Sequence, residues 1–86
     1  MQNKNICRVC GFDLGYPIWG EDNNSPTYDI CPCCGVEFGY GDCLKKAIMN
    51  FRANWLSKGG EFEDKKFMPK DWDLTKQLNQ IPPEWK

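Results

Sequence analysis

The chain has 86 residues and a formal net charge of −1, with 11 Lys and Arg, 12 Asp and Glu, and no His. This length predicts one small domain, residues 1–86, whose core is modest enough to need a staple such as a metal ion. The balanced charge argues against nucleic acid as a partner, because nucleic acid selects basic patches.

The N-terminal residues predict neither export nor membrane anchoring. The stretch MQNKNI has no apolar segment of signal-peptide length. No run in the chain approaches the about 20 apolar residues of a membrane helix. We therefore expect a cytoplasmic protein with no membrane partner. Thiols stay reduced in that compartment, so the six Cys residues favour metal binding over disulfide bonds.

Two cysteine-rich turns, called knuckles below, carry the strongest signal. The first reads CRVCG, with Cys7 and Cys10, and the second reads CPCCG, with Cys31 and Cys34; 20 residues separate the two pairs. This spacing is typical of a zinc ribbon, because a Cys-x-x-Cys turn places two thiolates on one metal ion. The Gly after each pair permits a positive φ. The sequence therefore predicts that Cys7, Cys10, Cys31 and Cys34 bind one metal ion, with a disulfide framework as the less favoured alternative.

The ligand set leaves two metals open. Four thiolates suit Zn²⁺ or a single iron. The knuckle pair also resembles rubredoxin, whose iron carries electrons, although rubredoxins are shorter than this chain. We expect one Zn²⁺ per chain, with iron as the alternative. A zinc ion with four thiolate ligands has no open coordination position, so such a site is structural rather than catalytic.

Two further cysteines fall outside this ligand set. Cys33 has the wrong spacing to pair with either neighbour in CPCCG, so we expect it at the knuckle tip, facing away from the metal ion. Cys43 is expected at the first position of a helix whose apolar face is buried. Cys33 is therefore predicted to be the more accessible thiol.

Residues 1–41 are predicted to form the zinc ribbon. Val36, Phe38 and Tyr40 alternate with polar or small residues, which indicates a strand with one apolar face. The two knuckle hairpins would then share a small sheet, with a long loop between them. Trp19 lies in that loop, and we expect its side chain to fill the core.

Residues 42–60 are predicted to form an amphipathic helix. Its apolar side chains recur at helical spacing from Leu44 through Ile48 and Phe51 to Trp55. Asp42 is the expected N-cap, and the Gly pair at residues 59–60 is the expected stop. The stripe is predicted to pack on the ribbon.

Residues 61–86 are predicted to form a connector and a short C-terminal helix. The connector is charged and poorly periodic. The helix spans residues 74–80, with Asp73 as its N-cap and with Leu74, Leu78 and Ile81 on one face. The two prolines at residues 82–83 end it. The predicted fold is therefore a small α+β metal-bound domain.

The sequence resembles a family of small bacterial cysteine-rich CPCC proteins. The likeness centres on SPTYDICPCCGVEFGYGD and continues through FRANWL and MPKDWDLTKQLNQI, so it covers nearly the whole chain. The resemblance implies a zinc-ribbon-like fold and no established biochemical activity. It also makes Cys33 a family trait, without indicating its role.

These observations favour a binding protein over an enzyme. The absence of His excludes a Cys–His or Ser–His nucleophile, and no Gly-rich phosphate loop is present. We predict a zinc-binding protein-interaction module whose partner is another protein. One specific version is an immunity protein that neutralises a bacterial toxin. The alternative is a rubredoxin-like iron electron carrier.

Overall fold

A computed structural model describes residues 4–86. Two α-helices stand out in this part of the chain, α1 at Lys45–Ser57 and α2 at Leu74–Asn79. Single 3₁₀ turns lie at Lys65–Phe67 and Pro83–Trp85. The residues before α1 form the two knuckles and the loop between them.

The predicted zinc-ribbon sheet is wrong: residues 4–86 contain no β-strand and no sheet. The arms of each knuckle meet at a single bridge, Ile6 with Asp13 and Ile30 with Glu37. The expected strand ends at Phe38, because the N–H groups of Tyr40 and Gly41 both donate to the carbonyl of Glu37 and turn the chain. An apolar alternation this short therefore forms a tight turn rather than a ladder.

Helix α1 begins later than predicted, and Asp42 is not its N-cap. The helix starts at Lys45 after Leu44, which makes no side-chain cap. The Asp42 carboxylate is fully buried and instead accepts hydrogen bonds from Trp19 Nε1 at 2.9 Å and from the Gly39 N–H at 2.7 Å. Leu44, directly before the helix, is exposed, while Ile48 and Trp55 are buried as expected.

The ends of the two helices otherwise follow the sequence signals. Helix α1 stops before Gly59 and Gly60, whose φ angles are +109° and +62°. The N–H of Gly60 donates to the carbonyl of Trp55 and closes the turn. Asp73 caps α2 by accepting from the Lys76 N–H at 3.2 Å. Helix α2 lies against the first knuckle, where the side-chain amide of Gln77 donates to the Cys10 carbonyl at 3.1 Å.

The core is built around the knuckle cysteines. Trp19 is 8% exposed, which confirms that it fills the core, and Val36 and Phe38 are fully buried beside it. Phe62 makes edge-to-face contacts with Phe12 at 5.4 Å and with Trp72 at 5.2 Å between ring centroids. These contacts join the first knuckle to the connector. No helix among residues 4–86 is long and apolar enough to cross a membrane.

Gly11 supplies a sharp test of this packing. Its φ is +87°, and a β-carbon there would overlap the backbone carbonyl oxygen of Gln77. We expect Gly11→Ala to lower the free energy of unfolding by about 3–5 kcal/mol, through steric overlap added to the cost of a positive φ. Urea denaturation followed by tryptophan fluorescence measures this change.

Gly15 is the matched control. Its φ is +81°, but a β-carbon there would meet nothing within 4 Å. Gly15→Ala should therefore lose only about 1–2 kcal/mol, the cost of the backbone angle. Equal losses in the two variants would contradict the close approach of α2 to the first knuckle.

Candidate metal centre

The two knuckles are copies of one turn, placed 24 residues apart. In the first knuckle, the Cys7 N–H donates to the Phe12 carbonyl, and the Gly11 N–H donates to the Cys7 carbonyl. The same two hydrogen bonds recur in the second knuckle, from the Cys31 N–H to the Val36 carbonyl and from the Gly35 N–H to the Cys31 carbonyl. The two glycines have φ angles of +87° and +84°. Each turn closes with its two sulfurs on the same side, so the repeated backbone geometry presents two pairs of thiols.

The four predicted ligand residues come together at one point. The Sγ atoms of Cys7, Cys10, Cys31 and Cys34 all lie within 4.8 Å of one another. Two pairs that join the knuckles, Cys7 with Cys34 and Cys10 with Cys31, have Sγ–Sγ distances of 3.7 Å. A tetrahedron with metal–sulfur bonds of about 2.3 Å has edges of about 3.8 Å, whereas a disulfide needs about 2.0 Å. The cluster therefore has the dimensions of a four-coordinate metal site and can hold a metal ion.

The electrostatics of the cluster also favour a cation. Burial raises the pKa of the Cys10 and Cys34 thiols, while hydrogen bonds from the neighbouring thiols lower the pKa of Cys31. Burial thus opposes the ionisation of all four thiols together, because four buried negative charges would repel one another. A divalent cation supplies the opposite charge and favours thiolate at each ligand.

The cluster is closest to solvent at one of its four cysteines. Cys7, Cys10 and Cys31 are fully buried, whereas Cys34 is 4% exposed. Cys34 also lines a groove of about 560 Å³ beside Phe51 and Trp55 of α1. Cys34 is therefore the most solvent-exposed of the four clustered cysteines.

Donors from the C-terminal half hold the knuckle tips from outside. In the first knuckle, the Arg52 guanidinium donates to the carbonyls of Arg8 at 2.8 Å and Val9 at 2.7 Å. In the second, the equivalent carbonyls accept from the backbone N–H groups of Glu63 and Asp64, each at 2.9 Å. Equivalent carbonyls are therefore hydrogen-bonded in both knuckles, by a side chain in the first and by backbone N–H groups in the second. Burial lowers the pKa of Arg52, and the nearby Cys side chains oppose that shift.

Gln77 of α2 bridges the two knuckles. Its Nε2 donates to the Cys10 carbonyl at 3.1 Å and to Cys33 Sγ at 3.2 Å, while its Oε1 accepts from Trp72 Nε1 at 2.7 Å. The side chain is 4% exposed, and every polar atom of its amide is used. Gln77 therefore fixes the separation of the two turns next to the sulfur cluster.

The prediction that Cys33 is the more accessible thiol is wrong. Cys33 is fully buried and Cys43 is exposed. Cys33 occupies the position that Val9 holds in the first knuckle, and Val9 is also fully buried. The knuckle tips face the C-terminal half rather than solvent, so Cys33 acts as a small buried side chain. Cys43 lies before α1, where its Sγ donates to the Gly39 carbonyl at 3.1 Å.

A stacked arginine completes the surroundings of the first knuckle. The Arg8 guanidinium lies 4.0 Å from the Trp19 ring and 4.3 Å from the Trp85 ring. Burial lowers its pKa, and the Asp42 carboxylate opposes that shift. Arg8 is 6% exposed, so its cation–π interactions contribute more to stability than they would at an exposed site.

Sequence reasoning missed Arg8, Asp42, Arg52 and Gln77 as supports of the site. Two of them carried a signal. Position 52 shares a helix face with Ile48 and Trp55, and position 77 shares one with Leu74 and Ile81. A polar residue within an apolar stripe indicates a buried hydrogen-bond donor. Arg8 and Asp42 lie in turns, where the spacing of apolar residues does not indicate which side chains are buried.

Two curated proteins of Bacillus subtilis (strain 168) are similar to this chain. The uncharacterized protein YoaQ is 30% identical over an alignment that covers 62% of this chain and 58% of YoaQ. The uncharacterized protein YozI is 25% identical, with 76% of this chain and 67% of YozI covered. The chain thus spans less than two thirds of YoaQ. No protein-family model and no solved structure matches the chain.

The burial of the two remaining thiols predicts an order of chemical labelling. A maleimide reagent applied to the native protein should modify Cys43 first, because Cys33 is fully buried. Mass spectrometry of tryptic peptides after brief exposure reads out the modified site. Cys43→Ser should abolish the rapid phase, and Cys33→Val should leave it unchanged. Rapid modification of Cys33 would contradict the packing of Gln77 against the second knuckle.

Proposed function

We propose that Cys7, Cys10, Cys31 and Cys34 bind one Zn²⁺ that stabilises the domain. The observation that carries this proposal is the sulfur cluster, whose 3.7 Å separations between knuckles match the edge of a tetrahedral four-thiolate site. Zinc is preferred to iron because the enclosed cluster leaves little of any ligand at the surface, whereas an electron carrier benefits from an exposed edge. All six Cys residues are free thiols, which suits the reducing cytoplasm.

We further propose that the zinc-stabilised domain is a protein-interaction module and not an enzyme. Its four-thiolate site leaves no position for a substrate on the metal, and the chain has no His. Several large apolar side chains are nevertheless exposed, among them Ile30 at 64% and Phe67 at 55%. Both side chains line one groove, and contiguous exposed apolar surface is typical of protein-interaction sites. In one specific version of this proposal, the module is an immunity protein that neutralises a bacterial toxin by binding it directly.

The metal proposal predicts the composition and stability of the purified protein. Elemental analysis should find one zinc per chain, and the protein should be colourless; a red protein with one iron would instead favour the electron carrier. Structural zinc contributes on the order of 10 kcal/mol to small domains. Cys10→Ser should therefore lose both the metal and cooperative melting.

Cys43→Ser is the matched control, because it removes a thiol outside the cluster. It should keep the zinc content and the melting temperature of the native chain. If a strong chelator removed the metal and left the melting curve unchanged, the ion would not be the structural element proposed here.

The interaction proposal predicts specific retention of another protein. A tagged chain incubated with lysate of its native host should retain a partner, and Cys43→Ser should retain it equally well. Cys10→Ser should not, because the surface depends on the folded domain. Titration of the purified partner in a calorimeter then gives the stoichiometry. Retention of the same protein by native chain and Cys10→Ser alike would count against a folded binding surface.

A further inference from the structure

A groove of about 790 Å³ lies between the first knuckle, the approach to the second knuckle and the connector. Its apolar lining includes Phe12, Leu14, Ile30 and Phe67. Ile30 is 64% exposed and Phe67 55% exposed, so these side chains are only partly covered by the fold. Covering them would release ordered water and stabilise a complex.

The polar lining of this groove has one sign of charge. Four carboxylates line it, those of Asp13, Asp29, Glu63 and Asp64, and no Lys or Arg does. The chain as a whole has a net charge of only −1. The groove therefore concentrates negative charge far beyond the average of the protein. Apolar walls strengthen such a field, because they keep the local dielectric low.

Internal contacts leave much of this charge available. Asp29 accepts one hydrogen bond from the Tyr16 hydroxyl at 2.9 Å, and Asp13 accepts one from the Gly15 N–H at 2.9 Å. Asp64 accepts from the Lys66 N–H at 3.1 Å. All three donors are neutral groups, so these hydrogen bonds do not offset the negative charge of the groove. The basic side chains of Lys65 and Lys66 are close in sequence but do not line the groove.

We propose that this groove binds a segment of a partner protein in which apolar side chains alternate with Lys or Arg. The apolar side chains would cover Ile30 and Phe67, and the basic ones would meet the carboxylates along the groove. This inference rests on the proposed interaction function and specifies the surface and the chemistry of its partner. The second groove, beside Cys34, includes Lys58 in its lining and lacks this single sign of charge.

A peptide panel tests the groove without knowledge of the natural partner. The probe is a fluorescein-labelled peptide of alternating Leu and Lys, titrated with the zinc-loaded chain and followed by fluorescence anisotropy. We expect saturable binding that weakens as salt is raised, because exposed charges are screened. A peptide with Ser in place of Leu and one with Glu in place of Lys should bind at least about tenfold more weakly.

Substitutions locate the binding. Ile30→Ser should weaken binding of the Leu–Lys peptide by about tenfold, and the double variant Asp29→Asn, Glu63→Gln by about three- to tenfold at low salt. The controls are Leu44→Ser, which changes a side chain that is 70% exposed outside the groove, and Asp71→Asn, which changes an exposed acid outside it. Both should bind as the native chain does. Zinc content and melting temperature should be unchanged in all four variants.

Three results would overturn the groove as the binding surface. The first is no saturable binding of the Leu–Lys peptide, and the second is equal binding of the Ser-substituted peptide. The third is a host partner retained equally by the native chain and Ile30→Ser, which would leave the interaction function in place at another surface. Conversely, if the peptide bound as expected and no host protein were retained, the interaction function would fail while the chemistry of the groove stood.

Discussion

The structure depends on holding four sulfurs at one point with two short turns. Each turn must direct two Cys side chains inward, and its tip carbonyls therefore face outward, where they need hydrogen-bond donors. The C-terminal half supplies those donors through Arg52, the backbone of residues 63–64 and Gln77. The C-terminal half is consequently not an appendage to the two cysteine turns. It completes the hydrogen bonding that these turns cannot provide for themselves.

The two knuckles receive their outer hydrogen bonds from different donors. The first is reached by a long side chain from α1, and the second by the main chain of the connector. Arg52 can make several hydrogen bonds at once because its guanidinium carries five donors in a rigid plane. It also donates to the Trp85 carbonyl at 2.6 Å, so one side chain joins α1, the first knuckle and the C-terminal 3₁₀ turn.

The features that the sequence predicted well are local. The knuckle spacing led to the four clustered cysteines, Asp73 marked the start of α2, and the Gly pair marked the end of α1. The sheet was wrongly predicted because the apolar alternation at Val36 and Phe38 is cut short by a turn. In that turn, two successive backbone N–H groups donate to the Glu37 carbonyl. The roles of Asp42 and Cys33 depend on contacts with residues far away in sequence. No local period or cap signal records such contacts.

The bridge made by Gln77 has a consequence for the order in which the protein can assemble. Gln77 is 67 residues from Cys10 and 44 from Cys33, so a ribosome exposes both knuckles long before it makes the residue that joins them. Contacts of such long range are formed late and slow the folding of small domains. During synthesis the cysteine turns are therefore present without their outer donors. The cysteine turns can therefore reach their fully hydrogen-bonded arrangement only after α2 has been synthesised.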